Sequence, residues 1–270
     1  MSKALALIQA SWRTQRSYRV SIVLSFLSLG VTVLPVYFVS KALQANKDIA
    51  ASIAGQAPNY FGFLVIGFIA LIFVSTTVSS IPDAIGAGIG NGTLEALLST
   101  RASIPSLLTG MVGYSFVWTA VKALLFLALA MAFGLHLSLA ASLSGIFILV
   151  LIVLAHIPFA LIAASLVLAF RTTGQIPSIV MIASGLLGGV YWSMQAKIIP
   201  GWVHAIGNWV PLAPGLRALR QTLLNGASLS TVMPDVLLLV GFIVMLNAIG
   251  FLAFIEALRY ARRTGTLAQY

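Results

Sequence analysis

The chain has no cysteine, only five acidic residues and only three histidines in 270 positions, and charged residues of both signs make up 7% of it. Without cysteine there is no disulfide framework, no thiolate nucleophile and no Cys zinc site. The histidines, His136, His156 and His204, are too scattered for metal-ligand spacing. Four of the acids, Asp48, Asp83, Asp235 and Glu256, fall at or near the edges of apolar runs and the fifth is Glu95, so no carboxylate pair lies within an apolar run to couple proton movement. No nucleophile has a base placed beside it, which leaves an intramembrane enzyme without a catalytic cluster. No Gly-Lys dipeptide occurs, so a Walker A lysine is missing despite the glycines.

What is present is apolar surface: 60% hydrophobic residues and a mean hydropathy of +1.06. Too little polar surface remains to solvate a soluble globule of this size, so the bulk of the chain faces lipid. The excess of Lys and Arg, 15 against five acids, sits at the margins of the apolar runs. That is the pattern of membrane topology rather than of nucleic-acid binding.

A helix needs about 20 apolar residues to cross roughly 30 Å of hydrocarbon. Six stretches qualify: Ser21–Ser40, Phe61–Ser80, Ile104–Leu135, Leu139–Phe170, a shorter glycine-rich one over Ile176–Met194, and Val236–Leu258. The third and fourth exceed one bilayer thickness and are separated only by His136, Leu137 and Ser138, a tight hairpin. Pro35 and Pro158 fall inside spans and predict kinks at which a freed carbonyl needs a neighbour. With the N-terminus inside, the inner connections hold Lys3, Arg13, Arg16, Arg19, Arg101, Arg171, Arg259, Arg262 and Arg263, against Lys41, Lys47, Lys197, Arg217 and Arg220 outside. The bias puts both termini in the cytoplasm. A signal peptide is the weaker reading of the first span, whose apolar run is longer than the usual one.

Three segments are not simple spans. Residues 1–20 read as an amphipathic interface helix, with Leu5, Ile8 and Trp12 on one stripe and Arg13, Arg16 and Arg19 facing anionic headgroups; it is either a topology anchor or also a partner contact. The connection 83–101 passes from glycine-rich chain into a short helix in which Leu94, Leu97 and Leu98 share a face, Thr93 is a cap, and Glu95 and Arg101 suit the two ends of the dipole. Such an element can act as a lever on a cytoplasmic protein. The outer segment 195–234, with Trp192 just before it and Pro200, Trp202, Trp209, Pro211 and Pro214 within it, is too apolar for a solvated loop and too broken for a span. It predicts short helices that dip into the outer leaflet. Arg217 and Arg220 close that segment as snorkelling anchors or as contacts for phosphate headgroups or an anionic substrate.

Lys122 is the one Lys or Arg deep within a predicted span, at a cost of about 2.5 to 3.5 kcal/mol for a helix centre. It lies on a translocation path, pairs with an acid of another span, or reaches an interface if the long span shifts.

The run Gly92-Thr93-Leu94-Glu95-Ala96-Leu97-Leu98 resembles the Gly-Thr-Leu-Glu signature of type-2 ABC exporter permeases, the transmembrane subunits of ABC-2 type transporters. The segment Gly188-Gly189-Val190-Tyr191-Trp192, followed by Ile199-Pro200-Gly201-Trp202, Trp209-Val210-Pro211-Leu212-Ala213-Pro214 and Leu216-Arg217-Ala218-Leu219-Arg220, is similar to the re-entrant region before that family's last span. The chain carries Ala87-Gly88-Ile89-Gly90-Asn91 where the family often has charge.

The resemblance covers essentially the whole chain and implies an all-α membrane protein: a single permease domain over 1–270 with six transmembrane helices, an N-terminal interface helix, a cytoplasmic coupling helix and re-entrant outer helices. It implies a homodimer of permeases with two ABC ATPase subunits, ATP and Mg being held by the ATPases and no cofactor by this chain. Gly92, Thr93, Leu94, Glu95, Leu97 and Leu98 would couple to the ATPase. Trp192, Pro200, Trp202, Trp209, Pro211, Pro214, Arg217 and Arg220 would form an outer gate, and Lys122 would lie on the path. The setting would be a bacterial plasma (inner) membrane, with membrane lipids as partners and no nucleic acid. The cargo would be amphipathic or lipid-linked: a glycolipid, polysaccharide, lipid or hydrophobic drug. The alternative class is an ATP-independent channel or membrane scaffold subunit.

Overall fold

The computed structural model describes residues 19–93, 104–170, 172, 175–194 and 199–264. Residues 1–18 of the interface helix expected over 1–20, and the whole of 94–101, lie outside these residues, while Arg19 and Val20 open the first long helix. Among the described residues the regular structure is entirely helical, as lipid demands of a chain that must satisfy every backbone group internally. The helices are α1 (Arg19–Gln44), α2 (Lys47–Ile53), α3 (Tyr60–Gly90), α4 (Ile104–Ala132), a 3-10 turn (Leu139–Ala141), α5 (Ser142–Phe170), α6 (Ile176–Leu187), α7 (Gly201–Gly207), α8 (Leu212–Asn225) and α9 (Met233–Thr264).

Five of these, α1, α3, α4, α5 and α9, are long and apolar enough to cross a membrane. The fifth predicted span is different. Its helix stops after 12 residues, at Leu187, and so rises only ~18 Å, short of a bilayer. Among the described residues there are thus five long apolar helices and, in place of the shorter glycine-rich fifth span, a 12-residue helix that ends at Leu187.

The long helices pack as an alternating bundle. One end gathers the start of α3, the α4–α5 hairpin and the end of α8. There Tyr37 meets Phe61 and Phe133 edge-on or tilted, the Ser138 amide donates to the Leu223 carbonyl at 2.9 Å, and Gln44 accepts from the Tyr60 amide. The opposite end is held by Ile81, Ile85 and Ile89 of α3 against Leu168 of α5 and Leu258 and Ala261 of α9. Arg19 and Thr264 both lie toward this second end, so the described chain starts and finishes on the same side.

α3 is the centre of the bundle. Of its apolar window, 72% is buried, against 22% for α1 and 17% for α9. Asn59 caps its start by accepting from the Gly62 amide at 2.7 Å. The sequence placed glycine-rich connecting chain from Asp83 onward, but α3 continues to Gly90, 31 residues and ~46 Å in all. Burial of Ile85 and Ile89 against α5 and α9 offsets the poor helix propensity of Gly86, Gly88 and Gly90. The helix ends where Gly92 adopts a left-handed φ of 66° and its amide bonds the Ile89 carbonyl at 3.1 Å. The Thr93 hydroxyl then reaches the Gly88 carbonyl at 3.4 Å, closing the preceding helix.

α9 lies along α5, with Gly250 fitted against the backbone of Pro158. Pro158 has no amide hydrogen, so the carbonyl of Leu154 loses its partner within the helix. Asn247 of α9 supplies the donor, its Nδ2 reaching the Leu154 oxygen at 3.1 Å. The neighbour that the proline requires is thus a side chain of the adjacent helix.

Candidate functional site: a broken crossing held by a buried arginine

α6 rises from the second end of the bundle to the depth of Leu71, whose side chain lies near Gly185. There Gly188 and Gly189 stop it. Gly189 takes φ of 78° and the Val190 amide bonds back to the Gly185 carbonyl at 3.3 Å, a Schellman closure of the helix. After a detour through α7, the chain returns to the same place: Leu212, at the start of α8, sits against Gly188. From Leu212 the helix α8 runs outward, with Gly215 against Ile152, Leu223 against Gly145 and Leu224 against Gly62. α6 and α8 thus cover between them the interval that a single fifth span would have crossed, with residues 188–194 and 199–211 lying between them in the chain.

A break inside a bundle leaves carbonyl groups without helical partners. Arg220 takes them. Its Nη1 donates to Gly189 O at 2.9 Å and to Gln56 Oε1 at 3.3 Å, its Nη2 to Val190 O at 3.1 Å and its Nε to Phe63 O at 3.1 Å. The side chain is 1% exposed, and its guanidinium lies 3.4 Å from the centroid of the Phe63 ring. Two accessory bonds fix the same junction: Tyr60 Oη donates to Tyr191 O, and Gln56 Nε2 donates to Ser193 Oγ at 3.1 Å. Arg is suited to this position because its planar fork serves several acceptors at once and stacks on an aromatic face. A small cavity bordered by Gln56, Gly188, Gly189, Met194, Ala213, Arg217 and Arg220 has room for about one water molecule.

The other expected gate residues divide by environment. Pro211 and Pro214 are buried at the start of α8, where a missing amide hydrogen costs little. Pro200 precedes α7 and is exposed. Trp202 and Trp209 are 65% and 73% exposed. Trp192 is partly buried. Arg217, three residues before Arg220, does not share its surroundings: it is half-buried and forms an ion pair with Asp235 at 2.5 Å. The structure thus separates two arginines that the sequence presented as a pair, and turns Arg220 away from both solvent and headgroups. Gln56, Tyr60 and Phe63 were not singled out in the sequence; they precede or open the second span and carry no local signal of contact with residue 220.

At the opposite end, Gly92 and Thr93 lie at the close of α3, while Leu94, Glu95, Leu97 and Leu98 lie outside the described residues. Lys122 lies midway along α4, partly exposed, with its ammonium 5.9 Å from the Trp118 ring centroid. His156 is buried and bonded through Nδ1 to the Ile152 carbonyl at 2.7 Å within its own helix, which makes it a packed helix residue.

The bundle, its broken crossing and its membrane-length helices describe a multi-pass membrane protein. The chain matches the sequence model of the ABC-2 type transporter membrane domain over residues 4–224, and it belongs to that family. No curated protein matches it.

Proposed function

We propose that the chain is the permease half of an ATP-driven exporter that moves an amphipathic or lipid-linked substrate outward by alternating access. The reading is carried by one observation: the chain breaks its fifth crossing partway through the bundle and holds the break with a buried arginine, on the side away from the α3 terminus that leads into the Gly92-Thr93-Leu94-Glu95 run. In this reading two permease copies form a homodimer with two ABC ATPase subunits, which bind ATP and Mg. The helix containing Thr93, Leu94, Glu95, Leu97 and Leu98 sits against an ATPase. Nucleotide-driven closure below shifts α3, and the shift alters the packing around Gly67, Val190 and Arg220 at the far end of the same helix.

The segment from Trp192 to Arg220 is the outer gate. Trp202 and Trp209 hold its tip at headgroup depth, while Pro200, Pro211 and Pro214 limit the bends it can take. Both termini lie in the cytoplasm of a bacterial cell whose inner membrane holds the complex, in keeping with the Lys and Arg bias of the inner connections. The mechanism is a population shift between inward- and outward-facing states, driven by the differential affinity of ATP for the closed ATPase pair.

The test is co-purification of the tagged full chain with a Walker A ATPase, followed by ATP-dependent uptake of a fluorescent lipid into inside-out vesicles. Glu95→Ala is expected to retain membrane insertion and to lose transport. Transport of the same lipid with no ATPase present would overturn the reading in favour of an ATP-independent channel.

A further inference from the structure

Two rows of polar side chains meet across the seam between α3 and α4. On α3, Thr76, Ser79, Ser80 and Asp83 recur at the i, i+3, i+4 and i+7 spacing of one helix face. On α4, Ser115, Thr119 and Lys122 recur at i, i+4 and i+7. The hydroxyls of Thr76 and Thr119 are 2.7 Å apart and join the rows. Most of these side chains are partly exposed, Asp83 is exposed, and the Ser80 Oγ is buried with no hydrogen-bond partner. The helices around them are otherwise apolar.

Lys122 ends this track at the depth where charge is least tolerated. Within α4 (Ile104–Ala132) Lys122 lies ten residues from Ala132 and eighteen from Ile104. That is ~15 Å of helix in one direction and ~27 Å in the other, more than a lysine stem spans by snorkelling. Among the described residues the ion pairs are Arg217–Asp235 and Arg259–Glu256, and neither involves Lys122. The aromatic face of Trp118 is near, but it leaves the ammonium donors to find acceptors. Further along the same flank, at i+3 and i+7, Leu125 and Leu129 are exposed and apolar. A partly exposed cation in mid-bilayer, flanked by hydroxyls on one side and open apolar surface on the other, has the chemistry of an amphiphile site.

We propose that Lys122, with the Thr76 and Thr119 hydroxyls, binds the anionic headgroup of an amphiphile, a phosphate or carboxylate, while its apolar chain lies along Leu125 and Leu129. Asp83, at the far end of the track, repels that headgroup and favours its position at Lys122. The inference deepens the exporter reading and rests on it: it names the charge of the cargo that such a permease would carry.

The test uses the full chain alone in phosphatidylcholine nanodiscs, with spin-labelled phosphatidic acid and spin-labelled phosphatidylcholine as probes. Wild type is expected to hold the anionic probe in preference, and Lys122→Gln to reduce that preference about tenfold, with Lys122→Arg retaining it. Thr119→Val is expected to weaken the preference by a smaller factor while leaving the charge in place. Displacement of the probe by inorganic phosphate would assign the site to a water-borne anion; resistance to it would assign the site to a lipid-borne one. An unchanged preference in a folded Lys122→Gln protein overturns the proposal. So does loss of the dimer in that variant with the preference intact, which would make Lys122 a contact between copies. No ATPase is present in this experiment, so its failure leaves the vesicle transport assay to judge the exporter reading separately.

Discussion

The guanidinium of Arg220 stacks on the ring of Phe63 at 3.4 Å and, through Nε, also bonds the Phe63 carbonyl, so one residue of α3 receives both faces of the interaction. The remaining donors reach Gly189 and Val190, where α6 has ended. A single side chain therefore links the central helix, the broken helix and α8. Replacing it with alanine strands several buried acceptors, each costing about 1 to 3 kcal/mol. We expect Arg220→Ala to lower the unfolding free energy by at least about 3 kcal/mol. Arg220→Lys should recover only part of this, since one ammonium cannot match the fork. Thermal unfolding of the purified protein in lipid nanodiscs measures both, and a wild-type midpoint for Arg220→Ala would rule out the strut.

Gly67 tests the same junction from the other side. A Cβ added there would stand 2.9 Å from Arg220 Nη2 and 3.0 Å from the Val190 carbonyl oxygen, neither of which has room to yield. Gly67→Ala is expected to cost about 1 to 3 kcal/mol through overpacking. Gly30→Ala, in α1 with nothing within 4 Å of the added carbon, is the control. It should be neutral or gain about 0.5 to 1 kcal/mol from helix propensity. Equal midpoints for the two variants would mean that the α3–α6 approach is looser than these distances require.

Asn247 and Pro158 should be coupled energetically. Asn247 stabilises a carbonyl that is free only because residue 158 is proline. Alone, Asn247→Ala is expected to cost about 0.6 to 1.7 kcal/mol, the range of hydrogen bonds between membrane helices. In a Pro158→Ala background, Leu154 regains an amide within its own helix and the same substitution should cost less. A double-mutant cycle reads the difference. Full additivity would show that Asn247 acts elsewhere.

These two sites mark where the sequence was legible and where it was not. The long helices could be read from apolar length alone, because lipid admits few other solutions for such runs. The need for a donor beside Pro158 was equally readable, since it follows from the chemistry of one residue. Asn247 as that donor was not, because it lies 93 residues from Leu154, whose carbonyl it bonds, and only packing brings it there. The extension of α3 through Gly86, Gly88 and Gly90 was hidden for a related reason: local propensity argued for loop, and tertiary burial of Ile85 and Ile89 overrode it. Gly188-Gly189 and the prolines marked the broken crossing, yet an arginine beside Leu216, Ala218 and Leu219 gave no sign of pointing inward. Its partners are backbone carbonyls, which have no signature in the sequence.

The proposed lever makes the last prediction. Gly92 holds a φ of 66°, in the left-handed region that a side chain enters at a cost of roughly 1 kcal/mol, and it separates α3 from the segment that begins at Thr93. Gly92→Ala retains a small side chain and should leave the fold intact while straining the joint. Inserting a Gly-Ser pair after Gly92 relaxes the joint instead, decoupling any movement of the following helix from α3. If that helix transmits ATPase closure, both changes should leave ATP hydrolysis by the assembled complex within about threefold of wild type and lower transport per ATP by at least about tenfold. Arg220→Lys, at the other end of α3, should lower the same ratio by acting on the gate. The measurement is paired hydrolysis and vesicle uptake at saturating ATP. A Gly-Ser insertion that transports with wild-type stoichiometry would mean that force reaches α3 by a route other than Gly92.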